Sequence, residues 1–84
     1  MVTGAELIVA AEALHASTVQ PSDDPTPGLI HQAVVGAVTA YGVDGCAARL
    51  AQRYGDHPTE TAARMRWCLA TVRAVYPAVT ASTV

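Results

Sequence analysis

The sequence predicts an all-α fold, a single compact bundle of four helices. Three observations carry that expectation. Apolar residues recur at three- and four-residue intervals over most of the chain, and no stretch alternates apolar and polar as a half-buried strand does. Helix breakers are concentrated in a few places, above all around Pro21, Pro25 and Pro27. The apolar residues are small: 17 Ala and 11 Val stand against 5 Leu, 2 Ile and no Phe. Such side chains build a core only where helices approach closely.

The first helix is expected over roughly 4–17. Thr3 and Glu6 have capping-box spacing, and Leu7, Ala11 and Leu14 line one face. Ile8 with His15, and Val9 with Ala13 and Ala16, make further apolar rows, so this helix should be in contact on more than one side. Residues 18–28 hold three prolines with Ser22, Asp23, Asp24 and Gly28, and read as a surface loop. Thr26 before Pro27 reads as an N-cap followed by proline in the first turn. A second helix, 27–41, follows with Ile30, Val34, Ala37, Val38 and Tyr41 inward. Gly42 is its expected stop. A short third helix, 45–54, is capped by Asp44 and ended by Gly55. The fourth, 58–76, starts at Pro58, carries Glu60 near its positive end, and has the stripe Ala62, Met65, Leu69, Val72 and Tyr76. Pro77 ends it. The domain is thus expected over 1–77, with 78–84 as a frayed tail.

At 84 residues and a net charge of -2, the chain has room for one domain. A domain of this size buries only about 60–65% of its unfolded surface. Its apolar content of 51% with 14% charged residues argues against disorder. No apolar run approaches the ~20 residues of a membrane span. No Lys or Arg precedes Arg49, so a secretory n-region is missing and a cytoplasmic location is expected. Two cysteines do not make a disulfide framework. Charge is polarised along the chain. Residues 1–43 carry Glu6, Glu12, Asp23 and Asp24 and no cation. The rest carries Arg49, Arg53, Arg64, Arg66 and Arg73 against Asp44, Asp56 and Glu60.

The sequence offers little chemistry of the catalytic kind. There is no glycine-rich phosphate loop, no nucleophile elbow and no recognisable carboxylate pair. Glu12 and His15, one turn apart, make an ordinary helix-surface pair. His15, His31, His57, Cys46 and Cys68 lack any metal-ligand spacing, so neither metal nor cofactor is expected. Cys46, near a predicted helix start, is a candidate for a lowered thiol pKa. A bundle this short leaves little volume for a small-molecule cavity of ~300 Å³ or more. No enzyme is expected, and no small-molecule substrate.

The 58–76 helix is more informative. At ~100° per residue, Ala63, Trp67, Ala70 and Ala74 fall together, nearly opposite Met65. Arg66 and Arg73 flank this second apolar face on one side and Arg64 on the other. It calls for a cover: another helix of the same chain, a second copy, or a different protein, since aromatic anchors are enriched at interfaces. The stretch 45–76 also allows a DNA-binding helix-turn-helix. Ala51 and Gly55 have that motif's spacing, and Arg49, Arg53, His57, Thr59, Arg64 and Arg66 would face nucleic acid. Asp56 after the glycine, Thr61 and Arg64 at core positions, and Glu60 facing phosphate all depart from the pattern. An αα-corner accounts for the same residues.

The run DGCAARLAQRYGDHPTETAARMRWCLATVRAVY, Asp44 to Tyr76, resembles small uncharacterised helical proteins of actinobacteria and of their phages and mobile elements. The resemblance covers about 33 of the 84 residues. It carries no catalytic motif and implies an accessory or regulatory role. Together these readings predict a non-enzymatic protein–protein interaction module, a homodimer or the binder of a protein partner. Its expected interface is Ala63, Arg66, Trp67, Ala70, Arg73 and Ala74. A small DNA-binding regulator is the alternative.

Overall fold

The computed structural model describes residues 4–76, and every regular element among them is helical. In order they are α1, Gly4–Ala16; a single 3-10 turn, Pro21–Asp23; α2, Pro27–Asp56; and α3, Pro58–Val75. Each α-helix touches the other two, so the core lies between all three.

α1 buries Ala10, Ala11, Ala13, Leu14 and His15. Its nearly all-round apolar surface is used on two sides. Ala10, Ala11 and Leu14 pack with Ile30 of α2 and with Met65, Cys68 and Val72 of α3. Ala13 joins a smaller cluster with Ala37 and Cys46. Ile8 stays 53% exposed. Thr3, the expected cap, lies outside the described residues. After α1, the Ser17 hydroxyl donates to the carbonyl of Leu14 at 2.6 Å and accepts from the Val19 amide at 3.3 Å. The proline-rich segment then runs as expected, with Asp23 accepting from the Gln20 amide at 2.9 Å. Thr26 caps α2 through its Oγ1, which accepts from the Leu29 amide at 3.2 Å, and Pro27 occupies the first turn.

The helix count differs from the sequence expectation. The chain forms three helices, not four, because 27–41 and 45–54 run together as α2. Gly42 interrupts the helical backbone, as expected, and the helix resumes beyond it in a new direction. Its φ of 73° and ψ of 166° are non-helical and lie where only glycine rests without strain. The bend is sharp. The Cys46 thiol donates to the Ala37 carbonyl at 3.7 Å, whereas nine residues of straight helix span about 13.5 Å. Asp44 and Gly55, expected as cap and stop, lie inside α2.

α2 and α3 are joined by one residue, His57, whose amide bonds to the Arg53 carbonyl at 2.7 Å. Thr61 of α3 is buried, and its hydroxyl donates to that same carbonyl at 3.0 Å. The buried line of α3 is Thr61, Met65, Cys68 and Val72. Leu69 and Tyr76, expected at its centre, pack at its edge. At the far end His31 Nδ1 and the Tyr76 hydroxyl lie 3.1 Å apart, tying the start of α2 to the end of α3. Pro77 and the expected tail 78–84 lie outside the described residues. The core is thin. Of the branched aliphatics among the described residues, only Leu14, Ile30 and Val72 are fully buried, each worth about 1.5–3 kcal/mol.

Candidate functional site

Two surface features stand out, and both involve α3. The first is a cleft at the C-terminal end of α1. It is walled by His15, Ser17, Thr18 and Gln20 from α1 and the loop after it, by Arg49 and Arg53 from the second arm of α2, and by Ala63, Arg64 and Trp67 from α3. Its volume is about 710 Å³, well beyond the small space expected of so short a bundle. Three of the five arginines line it, and no Asp or Glu does.

Arg64 organises this cleft. Its Nε–H and its two Nη2–H groups are shared among four backbone carbonyls: Nη2 lies 2.9 Å from that of Val19, 3.1 Å from Ser17, 3.3 Å from His15 and 3.3 Å from Leu14, and Nε lies 3.4 Å from His15. A helix ends with carbonyls that have no partner in the helix, and its C-terminus carries a partial negative charge. Arg64 answers both needs from another helix. It is therefore half-buried and engaged, where the sequence suggests a residue at the edge of the second apolar face or facing nucleic acid. Its guanidinium carbon also lies 5.7 Å from the centre of the Trp67 ring. On the opposite wall Arg49 stacks on Tyr41, at 3.8 Å from the ring centre. His15, buried beside Arg64, has a lowered pKa, first through burial and then through the charges of Arg64 and Arg53. It is held as a neutral imidazole.

The second feature is the outer face of α3. Ala63, Ala70 and Ala74 are exposed, as are Arg66 and Arg73. Trp67 is half-buried and packs against the core. The three alanines are thus open in the single chain, while Trp67 is partly covered and shares the cleft wall with Ala63. Larger apolar side chains are exposed elsewhere. Leu29, Val35, Tyr41, Val43 and Tyr54 of α2 are 40–50% exposed. A shallower groove of about 380 Å³ runs along the first arm of α2, over Leu29, Ala33, Gly36, Ala37, Ala40 and Tyr41.

The residues expected to face nucleic acid are only partly gathered. Arg49, Arg53 and Arg64 share the cleft. His57 and Thr59 are exposed at the α2–α3 junction, where His57 Nδ1 lies 3.6 Å from Glu60. Arg66 points to solvent on α3. The junction has one residue where a helix-turn-helix uses a turn of three or four. Cys46 and Cys68 are both buried and free. Burial raises the Cys46 thiol, with Glu12 adding to the rise and Arg49 opposing it, which corrects the expectation of a lowered value. Burial pushes Cys68 up to about 11. No group of three or more His, Cys, Asp or Glu among the described residues could hold a metal ion. No helix among them is long and apolar enough to cross a membrane.

The sequence reading missed the role of Arg64 and the partnership of His15. One signal was available. Thr61, Arg64, Met65, Cys68 and Val72 form a single three–four series, with Arg64 inside it. Comparisons with known protein families, curated proteins and solved structures return no match.

Proposed function

We propose that this protein is a non-enzymatic interaction module that binds a protein partner, in the first instance a second copy of itself, through the outer face of α3. The interface is Ala63, Trp67, Ala70 and Ala74, with Arg66 and Arg73 orienting the partner from its edge. The observation that carries the reading is the uncovered apolar face of α3, set back to back with the core line Thr61–Met65–Cys68–Val72. Alanines around one anchored aromatic let a second helix come close, and the desolvated centre of such a contact holds most of its binding energy. A regulatory or adaptor role fits a small module of this kind. So does the resemblance of residues 44–76 to small uncharacterised helical proteins of actinobacteria and of their phages and mobile elements.

Sedimentation velocity over a concentration series tests the reading. Trp67 itself packs on the core, so replacing it mixes folding with association. Ala70→Glu and Ala74→Glu put charge on exposed positions instead. The wild type should be dimeric and both variants monomeric, with unchanged helical circular dichroism. A wild type that is monomeric up to millimolar concentration overturns the self-association. The DNA-binding alternative draws on the cleft arginines, while the one-residue junction and the engagement of Arg64 with α1 count against it. Salt-reversed binding of labelled duplex DNA, lost in Arg49→Ala, would restore it.

A further inference from the structure

We infer that the cleft between the end of α1, the second arm of α2 and α3 is a binding site for a small anion built on a flat ring, its oxyanion held by Arg49 and Arg53 and its ring laid against Trp67. This goes beyond the proposed interface: the two share Ala63 and Trp67, but the interface needs neither Arg49 nor Arg53. Four observations on the cleft point the same way.

The first is size. A volume of about 710 Å³ falls within the range of about 300–1,000 Å³ typical of small-molecule sites. The second is charge. The protein as a whole carries -2, yet this concavity is lined by three guanidinium groups and no carboxylate. A concave, low-dielectric wall of one sign concentrates counter-ions. Arg64 turns its Nε and Nη2 to carbonyls at the end of α1 and in the loop after it. The anion-seeking pair is therefore Arg49 and Arg53, one helical turn apart on the facing wall. Each guanidinium can meet a phosphate or carboxylate with two parallel N–H donors.

The third observation is preorganisation. Arg49 is stacked on Tyr41 at 3.8 Å, and Arg64 is locked by its carbonyl contacts, so the walls lose little freedom on binding. The fourth is the ring. Trp67 is half-buried beside Ala63, with its indole between the core and the cleft. An aromatic face next to cationic groups suits a flat ring that carries an anion. Thr18 and Gln20, exposed at the rim, add a hydroxyl and an amide for further polar contacts.

Isothermal titration calorimetry on the full chain at low salt tests this, with the Trp67 indole N–H followed by NMR. Three probes separate the parts: ADP carries ring and charge, pyrophosphate charge alone, and adenosine the ring alone. ADP should bind more tightly than either of the others and shift the Trp67 resonance. Arg49→Ala and Arg53→Ala, both at exposed positions, should each weaken ADP at least about tenfold, the loss expected for a charged hydrogen bond. Arg53→Lys should recover part of it. Trp67→Leu, checked for folding by circular dichroism, should weaken ADP about five- to 150-fold and leave pyrophosphate unchanged. Pyrophosphate binding as tightly as ADP overturns the ring contact. No heat and no Trp67 shift with any of the three, or ADP binding unaltered in Arg49→Ala and Arg53→Ala, overturns the site.

Discussion

Replacing Arg64 by Met keeps most of the aliphatic stem and removes the guanidinium. Four carbonyls, those of Leu14, His15, Ser17 and Val19, then lose a donor. A hydrogen bond from a charged group contributes about 1.5–3 kcal/mol. The five contacts do not add, because two nitrogens share them and three are 3.3–3.4 Å long. The two shortest, to Val19 at 2.9 Å and Ser17 at 3.1 Å, set the scale. Water can enter the open cleft and take over part of the lost bonding. The expected net loss is about 2–3 kcal/mol. A domain of this size has only about 4–12 kcal/mol in all, so Tm should fall by about 10–20 °C. Arg64→Lys restores the charge at the negative end of α1 but not the forked donors, and should recover less than half. Urea unfolding followed by helical circular dichroism reads both variants. A loss below about 0.5 kcal/mol for Arg64→Met, or a Lys variant equal to wild type, would refute the view that the guanidinium caps α1.

Three further outcomes are expected. The folded pKa of His15 lies below its ordinary 6.5, so the unfolded chain takes up the proton first. The stability that comes from neutral His15 is complete above that value and is lost as pH falls through the folded pKa. The urea midpoint should therefore drop between pH 7.5 and 5.5, and His15→Gln should flatten that dependence; a pH-independent wild type would contradict it. Gly42→Ala should cost about 1–3 kcal/mol, since φ 73° with ψ 166° suits glycine alone. Gly36→Ala, in helical backbone with nothing near its added methyl, should instead stabilise by about 0.5–1 kcal/mol; thermal melts of the pair decide it. Cys46 and Cys68 should resist iodoacetamide in the folded protein and react promptly in urea, because burial raises both thiols. Fast native labelling at either site would count against the core as described.

What was legible in the sequence was local. The Thr26–Pro27 start, the proline loop and the Pro58 start each depend on side chains within three residues of the backbone they organise. Gly42 was legible as an interruption but not as a bend. A glycine with positive φ can end a helix or turn it, and packing of the next segment decides which. Here Cys46 folds back onto Ala37 and into a cluster with Ala13, so the helix continues in a new direction. Gly55 misleads for the converse reason, since helical backbone passes through it to Asp56 at the modest cost of a helical glycine. Arg64 was legible as a member of the core-facing series of α3, but its partners were not, because they lie 45–50 residues away. Nothing within one helical turn announces them. The uncovered face of α3 was legible because its periodicity is local; what covers it is not.

The bend at Gly42 also sets how the molecule can vary. As one straight rod, 30 residues of helix would reach about 45 Å, longer than the 40 Å of the whole body. Folded at one residue, α2 becomes two arms that both reach the core. The first arm presents Ile30 and Ala37 to the core and pairs His31 with Tyr76. The second carries Arg49 and Arg53 to the cleft. A single residue inserted between Gly42 and Cys46 would swing both arginines about 100° around their helix and away from Trp67, and would turn Cys46 and Leu50 out of the core with them. The joint therefore binds the cleft wall to the core: neither can change register without the other.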